Sequence, residues 1–210
     1  MTTFSLLGSG LLGSAIGHRL LERGFALNVW NRNPRRCASL IEDGAQQLNH
    51  PAESLDKASV VLTVLRDGPV TAEVVKSLGP LHGRTVVPMG TMGISESVDL
   101  ADQVQLQGGA YLEAPVLGSR PEALQGDLLV MAGGEQSVFD AQLSWLGALA
   151  SQPRLMGPVG TGAAAKLALN QLIASLTHGY SLALRLVEAS GLEIERFMEV
   201  LRPSALYAPT

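Results

Sequence analysis

The stretch Thr3-Phe4-Ser5-Leu6-Leu7-Gly8-Ser9-Gly10-Leu11-Leu12-Gly13-Ser14-Ala15 constrains this chain more than any other. Five residues of β-type apolar character run into Gly-x-Gly-x-x-Gly, and a helix-forming run follows at once. Gly8 permits a tight turn out of the strand, Gly10 leaves room for a pyrophosphate to reach the backbone, and Gly13 lets the helix pack close to the strand. The helix start then offers unpaired N–H groups and a positive dipole end to phosphates. The bland alternative is a tight turn in some other α/β protein. The placement between a strand signal and a helix signal favours a dinucleotide site, with Leu7, Gly8, Ser9, Gly10, Leu11, Leu12 and Gly13 as its backbone.

Strand and helix signals alternate beyond it. Strands are expected near 25–30, 45–48, 59–65, 84–87, 110–112, 127–132 and 154–156, with helices near 11–23, 34–43, 68–79, 94–107 and 135–150. This alternation predicts an α/β, Rossmann-type, doubly wound, mostly parallel sheet with right-handed crossovers. The pattern changes after Gly157-Pro158-Val159-Gly160. From Ala163 to about Ser190 there is no proline and one glycine, and leucines point nearly all round. Such a helix is expected to be buried on most sides. It reads as a long bridging helix that leads into an all-helical domain, giving domains 1–158 and 159–210.

Composition narrows the class. Apolar residues make up 46% of 210, so a sizeable core can form. The net charge is −4, and no basic run recommends nucleic acid or an anionic membrane as partner. The one cysteine, Cys37, rules out an internal disulfide and suits a reducing compartment, so the expected location is the cytoplasm. No cysteine–histidine cluster offers a metal site. The apolar long helix makes a homo-oligomer, a dimer or tetramer, a reasonable expectation.

A dinucleotide fingerprint calls for an acidic residue about 20 positions on for NAD, or a basic one for NADP. Asn31-Arg32 closes the second strand signal, and no Asp or Glu occurs between Arg23 and Ile41. A guanidinium grips a 2′-phosphate that a carboxylate would repel. NADP is therefore expected, with Arg32 as main phosphate contact and Asn31 beside it. Leu65, Arg66 and Thr91 follow strand ends on the same side of the sheet and are candidates for the nicotinamide half. At the reacting end, Glu113-Ala114-Pro115-Val116-Leu117-Gly118-Ser119 reads as a stiff loop with exposed N–H groups, fit to hold a carboxylate. Lys166 and Asn170 lie at i and i+4 and share a helix face. On pattern alone, Lys166 either snorkels to solvent or sits at a polar cavity with a lowered pKa.

Together these residues resemble the β-hydroxyacid dehydrogenase family, which includes 3-hydroxyisobutyrate dehydrogenases and, closest to this chain, NADPH-dependent glyoxylate/succinic semialdehyde reductases. Four signatures match in order: Gly8–Gly13, the 113–119 loop, Gly160-x-Gly-x-x-x-Lys166-x-x-x-Asn170, and the long helix. The first domain is similar to the NADP-binding domain of 6-phosphogluconate dehydrogenase. The resemblance implies an oxidoreductase of small aldehyde or keto acids. In it Lys166 is the catalytic acid/base, Asn170 hydrogen-bonds substrate, and Leu117, Gly118 and Ser119 line its carboxylate site. Leu117 stands where the family has Ser. The family also has a helical second domain of about a hundred residues, and this chain stops about where that domain begins. Two alternatives stand beside this reading. One is an imine reductase-like enzyme, against which Lys166 and Asn170 argue. The other is a catalytically weak, oligomeric NADP-binding module.

Overall fold

Short apolar runs, buried on both faces, build the sheet. In the computed structural model, which describes residues 2–207, β1 (Thr3–Leu7) enters the glycine turn and α1 (Leu11–Glu22) leaves it. Next come β2 (Ala26–Trp30), a 3-10 turn at Pro34–Cys37, α2 (Ala38–Glu42) and β3 (Gln46–Gln47). They are followed by α3 (Ser54–Lys57), β4 (Val60–Thr63), α4 (Gly68–Lys76) and β5 (Thr85–Pro88). Then come α5 (Ile94–Leu106), β6 (Ala110–Glu113), β7 (Val116–Leu117) and α6 (Arg120–Gln125). The series continues with β8 (Leu129–Gly134), α7 (Gln136–Leu149) and β9 (Arg154–Gly157), and ends in α8 (Thr161–Ala189) and α9 (Ile194–Leu201).

The strand order is β3-β2-β1-β4-β5-β6-β8-β7, with β9 on β8. β1 pairs in parallel with β2 on one side and β4 on the other, so the order reverses there. That reversal opens the crevice in which doubly wound sheets hold ligands. Leu6, Val29 and Leu62 face one core layer, while Leu7, Val61 and Val86 face the other. This is the two-residue period of a strand buried on both faces. Phe4 anchors the first layer, meeting Phe25 and Trp145 edge-on at 5.4 and 5.3 Å between ring centroids.

Beyond β6 the pairing is mixed, with β8 and β9 parallel to each other. β8 runs antiparallel to both β6 and β7. Three segments read as connections have structure of their own: α3, β7 and α6. The stiff loop expected at 113–119 is instead a strand end, a two-residue strand and a helix cap. Such short pieces carry too few residues for any periodicity to register.

The chain divides into compact units Met1–Lys166 and Leu167–Thr210. The burial expected of the long helix is not met within this chain. Leu172, Leu182 and Leu186 are 60%, 54% and 73% exposed. A helix that is apolar all round needs cover on every side, and among the described residues the second unit adds only α9. Among the described residues no helix is long and apolar enough to cross a membrane.

Candidate functional site

The C-terminal ends of β1, β2, β4 and β5 open on a cavity of about 880 Å³. The fingerprint forms one wall through Gly8, Gly10, Leu11, Leu12 and Gly13. Gly8 sits at φ 109°, and its N–H donates to the Trp30 carbonyl at 2.8 Å, fixing the turn to β2. A methyl on Gly13 would overlap the Gly8 carbonyl oxygen, so that glycine lets α1 start directly against the turn. Gly10 is different: a methyl there would meet no protein atom within 4 Å. The position lines the cavity, and the space beside it is left for something other than protein.

The chemistry of the wall suits a dinucleotide. Gly10 caps α1 without any side-chain hydrogen bond, and no acidic residue occupies the first turn. The first N–H groups of α1 therefore face a ligand with their partial positive charge uncompensated. Arg32, Arg36 and Arg66 line the same cavity. Asn31 lines it too and ties the turn to β2: its side-chain oxygen accepts from the Ser9 N–H at 3.2 Å. Its amide donates to the Asn33 carbonyl at 3.0 Å. Leu65 and Thr91 complete the far wall, joined by Gly90, where a methyl would stand 2.8 Å from the Leu65 carbonyl oxygen. Gly90 is thus what allows the loops after β4 and β5 to approach each other.

Lys166, on the second turn of α8, lines this same cavity. Burial alone holds its ammonium below the usual lysine range. Among the described residues it makes no ion pair within 4 Å. The sequence left open whether this lysine snorkels or faces a polar cavity, and the geometry selects the cavity.

A family model, the NAD binding domain of 6-phosphogluconate dehydrogenase, matches residues 3–160. Glyoxylate/succinic semialdehyde reductase 1 of Arabidopsis thaliana is 30% identical over 208 residues, 97% of this chain and 72% of that protein. The chain belongs to the β-hydroxyacid dehydrogenase family. Its first unit is an NAD(P)-binding domain. The chloroplastic reductase 2 of the same plant is 27% identical, across 99% of this chain and 59% of its own length. Among solved structures, Mycobacterium tuberculosis 3-hydroxyisobutyrate dehydrogenase with L-serine superimposes with TM-score 0.92 at 23% identity, covering 99% and 72% of the two chains. An imine reductase from Pseudomonas sp. follows with TM-score 0.86 and 25% identity, covering 96% and 71%.

Within this family member, several expected site residues lie elsewhere. Leu7 is fully buried core and does not line the cavity. Ser9 is buried, with its hydroxyl 3.5 Å from the Cys37 sulfur. Gly118 does line the cavity, but Leu117 and Ser119 do not. Leu117 pairs with Leu129 in the sheet. The Ser119 N–H and hydroxyl both donate to the Glu122 carboxylate, at 2.7 and 2.9 Å, closing the first turn of α6. The N–H groups expected to be exposed here are thus partly engaged by the protein's own acid. Asn170 sits one turn beyond Lys166 on α8, in the second unit.

Sequence reasoning also missed residues. Trp30, Arg36 and Glu73 line the cavity. Arg36 belongs to the basic group after β2, with Arg32 and Arg35, on which the phosphate expectation rests, though it is not itself given a contact there. The larger omission is Glu113. It ends β6 only 1% exposed. One carboxylate oxygen accepts from the N–H groups of Gly160 and Gly162, both at 2.8 Å, and of Ala163 at 3.3 Å. The other accepts from the Ser97 hydroxyl, which also meets the Tyr111 hydroxyl at 2.7 Å. Burial pushes the Tyr111 pKa up, so that hydroxyl stays protonated. A glutamate closing an apolar strand was the available signal, because carboxylates are almost never buried without partners.

Proposed function

We propose that the chain reduces a small aldehyde or keto acid with NADPH, using Lys166 as proton donor. The observation that carries this reading is the half-buried Lys166 amine on the wall of the cavity that the Gly8–Gly13 turn opens. Bound NADPH supplies a hydride. The backbone of Gly8–Gly13 and α1 holds the pyrophosphate, Arg32 and Asn31 hold the adenosine end, and Leu65, Arg66 and Thr91 border the nicotinamide end. Reduction of a carbonyl builds negative charge on its oxygen. The Lys166 ammonium stabilises that charge and gives up a proton to it. In the reverse direction the free amine accepts the hydroxyl proton. Gly118 borders the substrate end, with Leu117 and Ser119 beside it and Asn170 as a hydrogen-bonding group on the helix of Lys166. A substrate carboxylate arriving at Ser119 competes with Glu122, whose own pKa is held down by the Ser119 N–H.

The names of the two plant reductases support the substrate class. The imine reductase likeness is of fold, and Lys166 is the group that favours carbonyl reduction over it. The direct test is NADPH oxidation by the purified chain with succinic semialdehyde and with glyoxylate. A chain that binds NADPH yet turns over no short aldehyde acid overturns the reading.

NADP rather than NAD rests on Arg32. Arg32→Ala is expected to weaken NADPH binding by about 1.5–3 kcal/mol, the worth of a charge-assisted hydrogen bond, and to leave NADH binding unchanged. Fluorescence titration of both cofactors measures it, and an unaltered preference removes the clamp. The exposed leucines of α8 support self-association. The mass in solution decides that. The expected cytoplasmic location rests on the lone, buried Cys37.

A further inference from the structure

We propose that Glu113 is the positioning residue for Lys166: its buried carboxylate clamps the first turn of α8 and so fixes where the lysine amine meets the cavity. This rests on the role given to Lys166 above. The clamp joins three elements distant in the chain, since Glu113 and Gly160 are 47 residues apart. β6 delivers the carboxylate, and Gly160 with the first turn of α8 supplies three N–H donors to one oxygen. α5 supplies the Ser97 hydroxyl to the other. No cation is needed, because the partial positive charge of a helix start faces the acid. Hydrogen bonds to an ionised acceptor are about twice as strong as neutral ones.

The space for this joint is made by glycines. A methyl on Gly133, in β8, would overlap the same Glu113 oxygen that receives the three N–H groups. A methyl on Gly162 would overlap the Met131 carbonyl oxygen and come within 3.1 Å of that Glu113 oxygen. Strand, helix start and carboxylate therefore fit together only with both side chains absent. Lys166 follows Ala163 by three residues, about one turn. In an α-helix each residue of slip rotates a side chain by about 100° and moves it ~1.5 Å. A loosened first turn would carry the amine off its position directly. Glu113 and Lys166 also border one small cleft, with Pro88, Gly90 and Met92.

The test uses the full chain with Glu113→Gln and, independently, Gly133→Ala, which leaves the acid in place but takes its room. Four quantities are read: NADPH affinity, hydrogen exchange of the peptide 160–166, acylation of Lys166 by acetic anhydride, and turnover. Lys57 and Lys76, the other lysines of the sequence, serve as internal controls for the acylation. Both variants are expected to keep NADPH affinity within about threefold, because the fingerprint wall is built separately. Exchange at 160–166 should rise about tenfold, and Lys166 acylation should change at least threefold against the two controls. Turnover number should fall at least tenfold at little-changed KM, since a misplacement of ~1 Å costs about 10²-fold. Folded variants with wild-type exchange and wild-type Lys166 acylation overturn the proposal, as does a lowered melting temperature with neither of these altered. If Glu113→Gln does not fold, Gly133→Ala decides on the same readouts. Absent turnover in the wild-type chain would sink the reductase reading, while exchange and acylation would still decide the clamp.

Discussion

Lys166→Ala is expected to lower turnover by about 10²- to 10⁴-fold while leaving NADPH affinity close to wild type. That range is the usual worth of a positioned proton donor. In the proposed binding mode the glycine turn and the arginines hold the cofactor, and Lys166 supports none of them. The amine also gives the reaction a pH signature. Burial depresses the Lys166 pKa below the ordinary lysine value. Reduction needs the ammonium, so its rate should fall as pH rises through that lowered pKa. Oxidation needs the free amine, and its rate should rise over the same interval. Arg32, Arg36, Arg66 and Glu73 line the same cavity, and Glu113 borders its neighbouring cleft. In Lys166→Ala this limb should vanish from both profiles. Lys166→Arg keeps a cation but cannot titrate in the range, so it should retain cofactor binding and lose the limb. Steady-state rates in both directions across pH provide the check. An alkaline limb that survives in Lys166→Ala assigns the proton to another group.

The second large effect separates two glycines that look alike in the motif. Gly8→Ala places a Cβ against the Val64 carbonyl oxygen and does so at φ 109°, where L-residues are strained. The strain costs about 1–3 kcal/mol and the overlap about as much again. At ~2–4 °C of melting temperature per kcal/mol for a chain of this size, the loss is readily measured without cofactor. Gly10→Ala meets no protein atom within 4 Å. It should keep the melting temperature of the apo protein and lose only NADPH affinity, because its methyl stands where the pyrophosphate would lie. Thermal melts of the apo proteins and NADPH titrations distinguish the two. A stable Gly8→Ala, or a Gly10→Ala that binds NADPH normally, contradicts the division of labour.

Local signals carried most of the architecture into view. β1 and α1 stand where the fingerprint puts them, and the strands at 60–63 and 85–88 follow from the Val60-Val61-Leu62 and Val86-Val87 runs. The cavity gathers Gly8, Gly10, Asn31, Arg32, Leu65, Thr91 and Lys166, residues read from strand ends and helix starts. Other parts were read less well, for separate reasons. β7 is two residues long, too short for a pattern. Ser119 and Glu122 stand at the Ser-x-x-Glu spacing of a capping box, so the occupation of both Ser119 donors was readable from four residues of sequence.

By itself the sequence determined that a strand, a glycine turn and a helix would form a phosphate-binding corner, that arginine rather than aspartate would follow β2, and that Lys166 and Asn170 would share a helix face. Each is a statement about neighbours within a few residues, which backbone geometry enforces locally. Only the tertiary structure decided that Lys166 lines the cavity and that Glu113 holds the turn before it. The N–H partners of that carboxylate lie 47 to 50 residues away, at a helix start, and its room is made by a glycine in another strand. Hydrogen bonds across such separations leave no period in the chain. They exist only after the sheet has brought β6, β8 and the start of α8 to one place.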